Sequence, residues 1–139
     1  DLEELFRRAD IISVHTPLTP ETRGIINAQA IAKMKPGALL VNVARGPLVI
    51  EPDLVASLES GHLVGFVADV AAQEPLPEDS KLWHMPNVLL TPHVAGQSKL
   101  RIDNMTDFFC DNLHRHFAGQ PLRNLVDKRQ GFPVRQATG

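Results

Sequence analysis

The sequence predicts an α/β layer fold built on a parallel sheet, and three observations carry the prediction. Four short runs, residues 11–14, 38–43, 63–70 and 88–91, are almost continuously apolar, as strands covered on both faces are. Stretches with helical spacing or helix-capping residues alternate with them. The joints between them are rich in Pro, Gly, Thr and Asn, which punctuate rather than continue regular structure.

Each element has its own reason. Residues 2–9 (LEELFRRA) place apolar side chains at 2, 5, 6 and 9, a helical spacing, with Asp1 as N-cap. Residues 11–14 (IISV) form the first strand. Residues 15–24 hold two prolines and three threonines and read as a loop. Asn27 caps a short helix through residue 34, Pro36-Gly37 ends it, and residues 38–43 (ALLVNV) form a buried strand. Arg45-Gly46-Pro47 is a turn. Residues 51–60 read as a helix, with Pro52 in its first turn and Gly61 just past its end. Residues 63–70 (LVGFVADV) are the third strand, a proline-bearing loop runs through Pro86, and residues 88–91 (VLLT) are the fourth. A long helix is expected over 97–118, ended by Gly119. Residues 120–139 read as an irregular tail.

The chain has 139 residues, 43% hydrophobic and 22% charged, the length of one domain with apolar material for a core. Fourteen Lys and Arg against sixteen Asp and Glu give a net charge of -2. That balance argues against a nucleic-acid-binding or membrane-surface protein. From Gln97 onward there are seven basic and four acidic residues, too few to make a polybasic tail. The single cysteine, Cys110, cannot form an internal disulfide, so a reducing, cytoplasmic setting is expected. No apolar run approaches the roughly 20 residues of a membrane span, and no signal peptide opens the chain. The first residue is Asp1, which reads as the cut edge of a longer protein.

In parallel α/β sheets, ligands bind beyond the carboxyl ends of the strands. The residues there are His15-Thr16-Pro17, Ala44-Arg45-Gly46, Asp69 and Thr91-Pro92-His93. Arg45 is either a solvated loop arginine or an anion clamp, since its planar fork matches a carboxylate. His93 is either structural or a proton carrier, with an ordinary pKa of about 6.5 that suits transfer near neutrality. Glu74 taken alone is a solvated carboxylate. Brought beside His93, 19 residues away, it would favour the imidazolium. Asp69 either caps a turn or binds a polar ligand group. Trp83 and Met85 are expected to fill apolar space under the loop, and Cys110 to be inert packing. His114 and His116 lie two apart on a helix and point away from each other. No spacing suggests a metal site.

Taken in order, these strings resemble a family. His15-Thr16-Pro17-Leu18-Thr19 with Glu21-Thr22 comes first, then Val41-Asn42-Val43-Ala44-Arg45-Gly46. Asp69-Val70 with Glu74-Pro75 follows, then Thr91-Pro92-His93 with Gly96. Over residues 1–126 the chain is similar to the D-isomer-specific 2-hydroxyacid dehydrogenases. The resemblance implies the second half of a Rossmann-like, doubly wound dinucleotide-binding domain over residues 1–97. Residues 98–119 would be a helix returning to a substrate domain that is mostly absent, and 120–139 an irregular tail.

The resemblance also implies roles. Arg45 matches the substrate-binding arginine, His93 the general acid/base and Glu74 its carboxylate partner. Thr16, Pro17 and Thr22 match the loop lining the cofactor, and Val43, Ala44 and Arg45 the stretch beside nicotinamide. Asp69 matches the residue holding the nicotinamide end, and His93, Ala95 and Gly96 complete the cofactor wall. Relatives acting on formate carry Gln where Glu74 stands, so Glu74 argues for a hydroxy/keto-acid couple. Ile50 replaces the Asp or Asn that relatives more often place before the helix.

The implied activity is hydride transfer between a nicotinamide cofactor, NAD or NADP with NAD favoured, and a small 2-keto or 2-hydroxy acid. The full-length enzyme is expected to be a homodimer. A dinucleotide-sensing corepressor of the same fold and an inactive truncated remnant are the alternatives. No G-x-G-x-x-G occurs in the 139 residues, so the chain alone is expected to bind dinucleotide poorly and to lack activity. The strand at Ile11 is expected to be an exposed apolar edge.

Overall fold

A computed structural model of the chain describes residues 1–133; the last six residues of the expected tail, 134–139, lie outside the described residues. The chain divides into two units, Asp1–Ala95 and Gly96–Gly139. In the first, helix α1 (Leu2–Arg8) leads into strand β1 (Ile11–Val14), helix α2 (Ala28–Ala32), strand β2 (Ala38–Asn42), helix α3 (Glu51–Glu59), strand β3 (Leu63–Ala68) and strand β4 (Val88–Leu90). Short 3-10 turns cover Gly46–Leu48 and Lys81–His84. The four strands are all parallel and stand in chain order, β1-β2-β3-β4.

That order decides where the core sits. Right-handed crossovers that always step to the next strand place every connecting helix on the same face of the sheet. The core accordingly joins Ile12, Val14, Leu40, Leu63 and Phe66 from the strands to Phe6, Ile31, Leu54 and Leu58 from the helices. The opposite face is open: Ile11 is 63% exposed and Leu89 60%, with Leu39, Val41 and Val67 half-buried between them. The runs that read as strands covered on both faces are therefore covered on one. Exposure extends across the sheet from the edge at Ile11.

The caps follow local chemistry. Asp1 accepts from the amide of Glu4 at 2.8 Å. The Asn27 side chain accepts from the amides of Gln29 and Ala30, both at 3.1 Å, and so satisfies two otherwise orphaned donors. Helix α3 starts at Ile50 with no side-chain cap, as its unusual residue there foreshadows. Its Asp53 instead accepts from the amide of Ala28 and ties α3 to α2. Helix α2 is shorter than the 27–34 span expected of it; β1 matches its expected span, and β2, β3 and β4 end one or two residues early. The strand ends stop where buried polar side chains take over the backbone hydrogen bonding, as the site below shows.

The second unit holds helix α4 (Arg101–Phe117) and a two-stranded antiparallel hairpin, β5 (Val126–Asp127) with β6 (Phe132–Pro133). Helix α4 is shorter than the expected 97–118 span, and the hairpin replaces an expected irregular tail. Gly119 adopts a φ of 65°, which ends the helix in the left-handed region favoured by glycine. Asn112 exchanges two hydrogen bonds with the backbone of Arg123, and Asp111 pairs with both Arg115 and Arg123, fastening the following loop to the helix. Ile102, Met105, Phe109, Leu113 and Phe117 are exposed along α4. Cys110 is exposed as well, which corrects its reading as inert packing. Among the described residues, no helix is long and apolar enough to cross a membrane.

One-sided burial makes a direct prediction. Ile12→Ala should cost about 2–5 kcal/mol of stability, whereas Ile11→Ala should change it by less than about 0.5 kcal/mol. Urea unfolding of the two variants beside the parent chain checks this. Equal losses would show that both faces are covered.

Candidate active site

The carboxyl ends of β1, β2, β3 and β4 deliver their loops to one edge of the sheet, and two buried polar residues organise them. Asp69, directly after β3, is only 3% exposed. Its Oδ1 accepts from the Thr91 hydroxyl and, at 2.8 Å, from the amide of Val94; its Oδ2 accepts from the amide of Ala95 at 2.7 Å. Desolvation opposes its ionisation, but the bonds from Thr91, Ala95 and Val94 outweigh that cost and hold its pKa below the usual aspartate value. Just past β4, the Thr91 amide still donates to the Ala68 carbonyl at 2.9 Å while its hydroxyl is captured by this carboxylate. His93, in the middle of the clamped turn, has a φ of 54°, a left-handed backbone that a non-glycine residue adopts at a cost of about 1–2 kcal/mol.

The turn presents the His93 ring to Glu74, and Nδ1 lies 2.8 Å from Glu74 Oε2. Glu74 Oε1 accepts from the amide of Ala71 at 3.0 Å. The bond with His93, then that with Ala71, lowers the Glu74 pKa, with a further contribution from the charge of Arg45. An ionised carboxylate only accepts, so Nδ1 carries a hydrogen and Nε2 is left for proton exchange. Both side chains are about half exposed and so open to a ligand. The expected pairing of Glu74 with His93 across 19 residues is therefore present. The Glu74-Pro75 peptide is cis.

Arg45 follows β2 on an exposed turn, and its guanidinium donates to the carbonyl of Ala44 at 2.6 Å. Among the described residues it has no carboxylate partner within ion-pair distance. The turn is held close to the Glu74 loop by Gly46. A Cβ at that position would stand 1.9 Å from the carbonyl of Ala71, so only glycine fits. Asn42, 1% exposed, ends β2: its Nδ2 donates to the Arg45 carbonyl at 3.0 Å and its Oδ1 accepts from the Ala44 amide at 3.1 Å. The backbone carbonyl of Asn42 accepts from the Asp69 amide at 3.0 Å, joining the two clamps. Asn42 did not stand out in the sequence, where an Asn before a turn looks like ordinary turn chemistry. A polar residue at the buried end of an apolar run was the available signal.

The other expected site residues lie along the same edge. Thr16 and Pro17 begin the loop after β1, Thr16 half-buried and Pro17 exposed. Thr22 braces that loop, its hydroxyl donating to the Pro17 carbonyl at 2.7 Å and accepting from the Thr19 amide at 2.8 Å. Val43 and Ala44 are half-buried in the Arg45 turn, and Ala95 enters the site through its bond to Asp69. Gly96 opens the second unit, exposed and with open space around the Cβ position. An open pocket of about 260 Å³ lies beside Glu74 and His93, with Leu76, Trp83, Leu90 and Pro92 among its walls. Trp83 is 52% exposed in this wall, its indole donating to the Pro77 carbonyl, which corrects the expectation that it fills buried space; Met85 does pack against the core.

A nicotinamide end fits this edge. Among the described residues, Asp69 Oδ2 accepts from the Ala95 amide alone, and half-buried Thr16 and Ala44 with exposed Pro17 lie along the same strand ends. The pyrophosphate turn is not part of the fit, since the 139 residues contain no G-x-G-x-x-G.

The Asp69 clamp predicts a pH signature. A carboxyl whose pKa is lowered by folding stabilises the fold above its unfolded value, about 3.9, and loses that contribution as pH falls through its folded value. The stability gap between the parent chain and Asp69→Asn should be full above about pH 4 and shrink below it. Urea unfolding at stepped pH measures the gap, and a pH-independent gap would contradict the clamp.

Residues 1–95 match the family profile described as D-isomer specific 2-hydroxyacid dehydrogenase, NAD binding domain. The chain is 40% identical over 128 residues to a hydroxypyruvate reductase of Blautia hydrogenotrophica, covering 92% of this chain and 39% of that protein. It is 42% identical over 130 residues to a glycerate dehydrogenase of Methylorubrum extorquens, covering 91% and 41%. Among solved structures, a D-isomer specific 2-hydroxyacid dehydrogenase from Xanthobacter autotrophicus, in complex with NADPH and MES, superposes with a TM-score of 0.87 at 44% identity. The match covers 94% of this chain and 53% of that one. An NADPH-dependent glyoxylate/hydroxypyruvate reductase from Sinorhizobium meliloti, in complex with NADP and sulfate, gives 0.86 at 38% identity over 94% and 42%. The chain thus spans about two fifths of the length of these curated relatives. By its strand-end residues, its parallel sheet and the match over residues 1–95, the chain belongs to the D-isomer-specific 2-hydroxyacid dehydrogenase family.

Proposed function

We propose that this chain is the nicotinamide-facing and proton-transferring part of an oxidoreductase that interconverts D-2-hydroxy acids and 2-keto acids. The observation that carries the proposal is the Glu74–His93 pair, held at the same sheet edge as Arg45, whose guanidinium has no carboxylate partner among the described residues. Asp69, Thr16, Pro17, Thr22, Val43, Ala44, Ala95 and Gly96 would line the cofactor, with Asp69 offering its spare Oδ2 lone pair.

When bound, the nicotinamide supplies or accepts the hydride. Arg45 binds the substrate carboxylate through its planar fork and polarises the neighbouring carbonyl, giving orientation and charge stabilisation. As the carbonyl carbon is reduced, its oxygen takes a proton from His93 Nε2. In the reverse direction, neutral His93 removes the hydroxyl proton at the same atom. Glu74 keeps the ring in one orientation and one tautomer through Nδ1, and its negative charge balances the imidazolium.

The resemblance favours NAD, while the two solved relatives described above hold NADPH and NADP. We therefore carry both dinucleotides into the proposal, to be separated by parallel titration. A cytoplasmic homodimer of the full-length enzyme completes the reading, supported by the lone Cys110 and by the resemblance.

In the full-length enzyme, His93→Ala should lower turnover of 2-keto acids by about 10²–10⁴-fold, with only modest change in dinucleotide affinity. Steady-state kinetics together with cofactor fluorescence titration measure both. Near-normal turnover in this variant would remove His93 from the role.

A further inference from the structure

We infer that Asn42 is a positioning residue for substrate carboxylate recognition, acting through the backbone that carries Arg45; the inference rests on the function proposed above. Among the described residues, no carboxylate anchors the Arg45 guanidinium. Its partner is the carbonyl of Ala44, inside its own turn, so the direction of the side chain is set by the backbone of residues 43–45. Asn42 spans that turn from beneath, with Nδ2 on the Arg45 carbonyl and Oδ1 on the Ala44 amide. A single buried side chain thus satisfies both a donor and an acceptor of the turn.

The chemistry is specific to asparagine. A primary amide offers a donor and an acceptor from one planar group. Aspartate keeps the acceptor and loses the donor. Alanine or leucine leaves the Ala44 amide and the Arg45 carbonyl without these partners. From the other side, Gly46 lies against the Ala71 backbone, and Ala71 in turn donates to Glu74. The turn is therefore pinned between Asn42 and the loop that holds Glu74. A bidentate arginine is sensitive to such support, because a displacement of about 1 Å in a bound group can cost about 10²-fold in rate.

The test uses the full-length enzyme, with glyoxylate as the keto-acid probe and fluorescence titration for the reduced dinucleotide. Asn42→Ala and Asn42→Asp should each raise the KM for glyoxylate by about 10- to 100-fold, with a smaller rise in the dinucleotide Kd because Val43 and Ala44 share the turn. In an Arg45→Ala background, removing Asn42 should raise KM no further, because the two residues act as one unit. Equal factors in both backgrounds, or a dinucleotide Kd that rises by as large a factor as the KM, would overturn the inference. So would failure of both Asn42 variants to fold while Arg45→Ala folds, which would make Asn42 purely structural. A parent enzyme that reduces no 2-keto acid would overturn the proposed function itself, and this inference with it.

Discussion

The carboxylate of Asp69 is the constraint on which the rest of the site depends. It is buried, and burying an ionised group is costly unless hydrogen bonds replace the lost water. Thr91, Val94 and Ala95 supply those bonds, and all three belong to one short turn. The need to satisfy the charge therefore folds the turn around it. His93 sits inside that turn in a left-handed backbone, an arrangement that persists only because its surroundings over-determine it. The imidazole then reaches Glu74, and Glu74 reaches back to Ala71. Removing the charge would release the turn, and the pairing of His93 with Glu74 would lose its support.

Asn42 does the same for the neighbouring strand, and the two clamps are joined by the Asp69 amide on the Asn42 carbonyl. The strands thus end in polar anchors at a single edge. The parallel order makes this possible: four strands running the same way deliver four loops to one place. The same order leaves one face of the sheet open, because each crossover turns the same way and places its helix on the other face. The loop-bearing edge and the open face are consequences of one topology.

The strands and caps were legible because they rest on local signals: apolar runs, Asp1 and Asn27 at helix starts, Gly61 and Gly119 just past helix ends. The ends of β2, β3 and β4 were not, because the side-chain bonds of Asn42 and Asp69 that take over beyond the strands reach residues as distant as Ala95. The open face could not be seen either, since an apolar strand reads alike whether one face is covered or both. Arg45 and His93 stood out as charged or titratable residues at strand ends, where an ordinary turn needs only Gly, Asn or Ser. The partnership of His93 with Glu74 is tertiary and came from the family resemblance. Trp83 and Cys110 were misread because residue type alone does not report exposure. The β5–β6 hairpin was missed because two-residue strands carry no periodicity.

The central claim is that the Asp69 carboxylate holds the His93 turn, and amide hydrogen exchange tests it most directly. Val94 and Ala95 lie in an exposed loop outside any helix or strand, so their amides should be protected only through Asp69. In the parent protein both amides should exchange slowly, and in Asp69→Ala both should exchange at the rate of an open loop while the amides of β2 and β3 stay protected. Fast exchange at Val94 and Ala95 in the parent protein, or unchanged protection in the variant, would contradict the account.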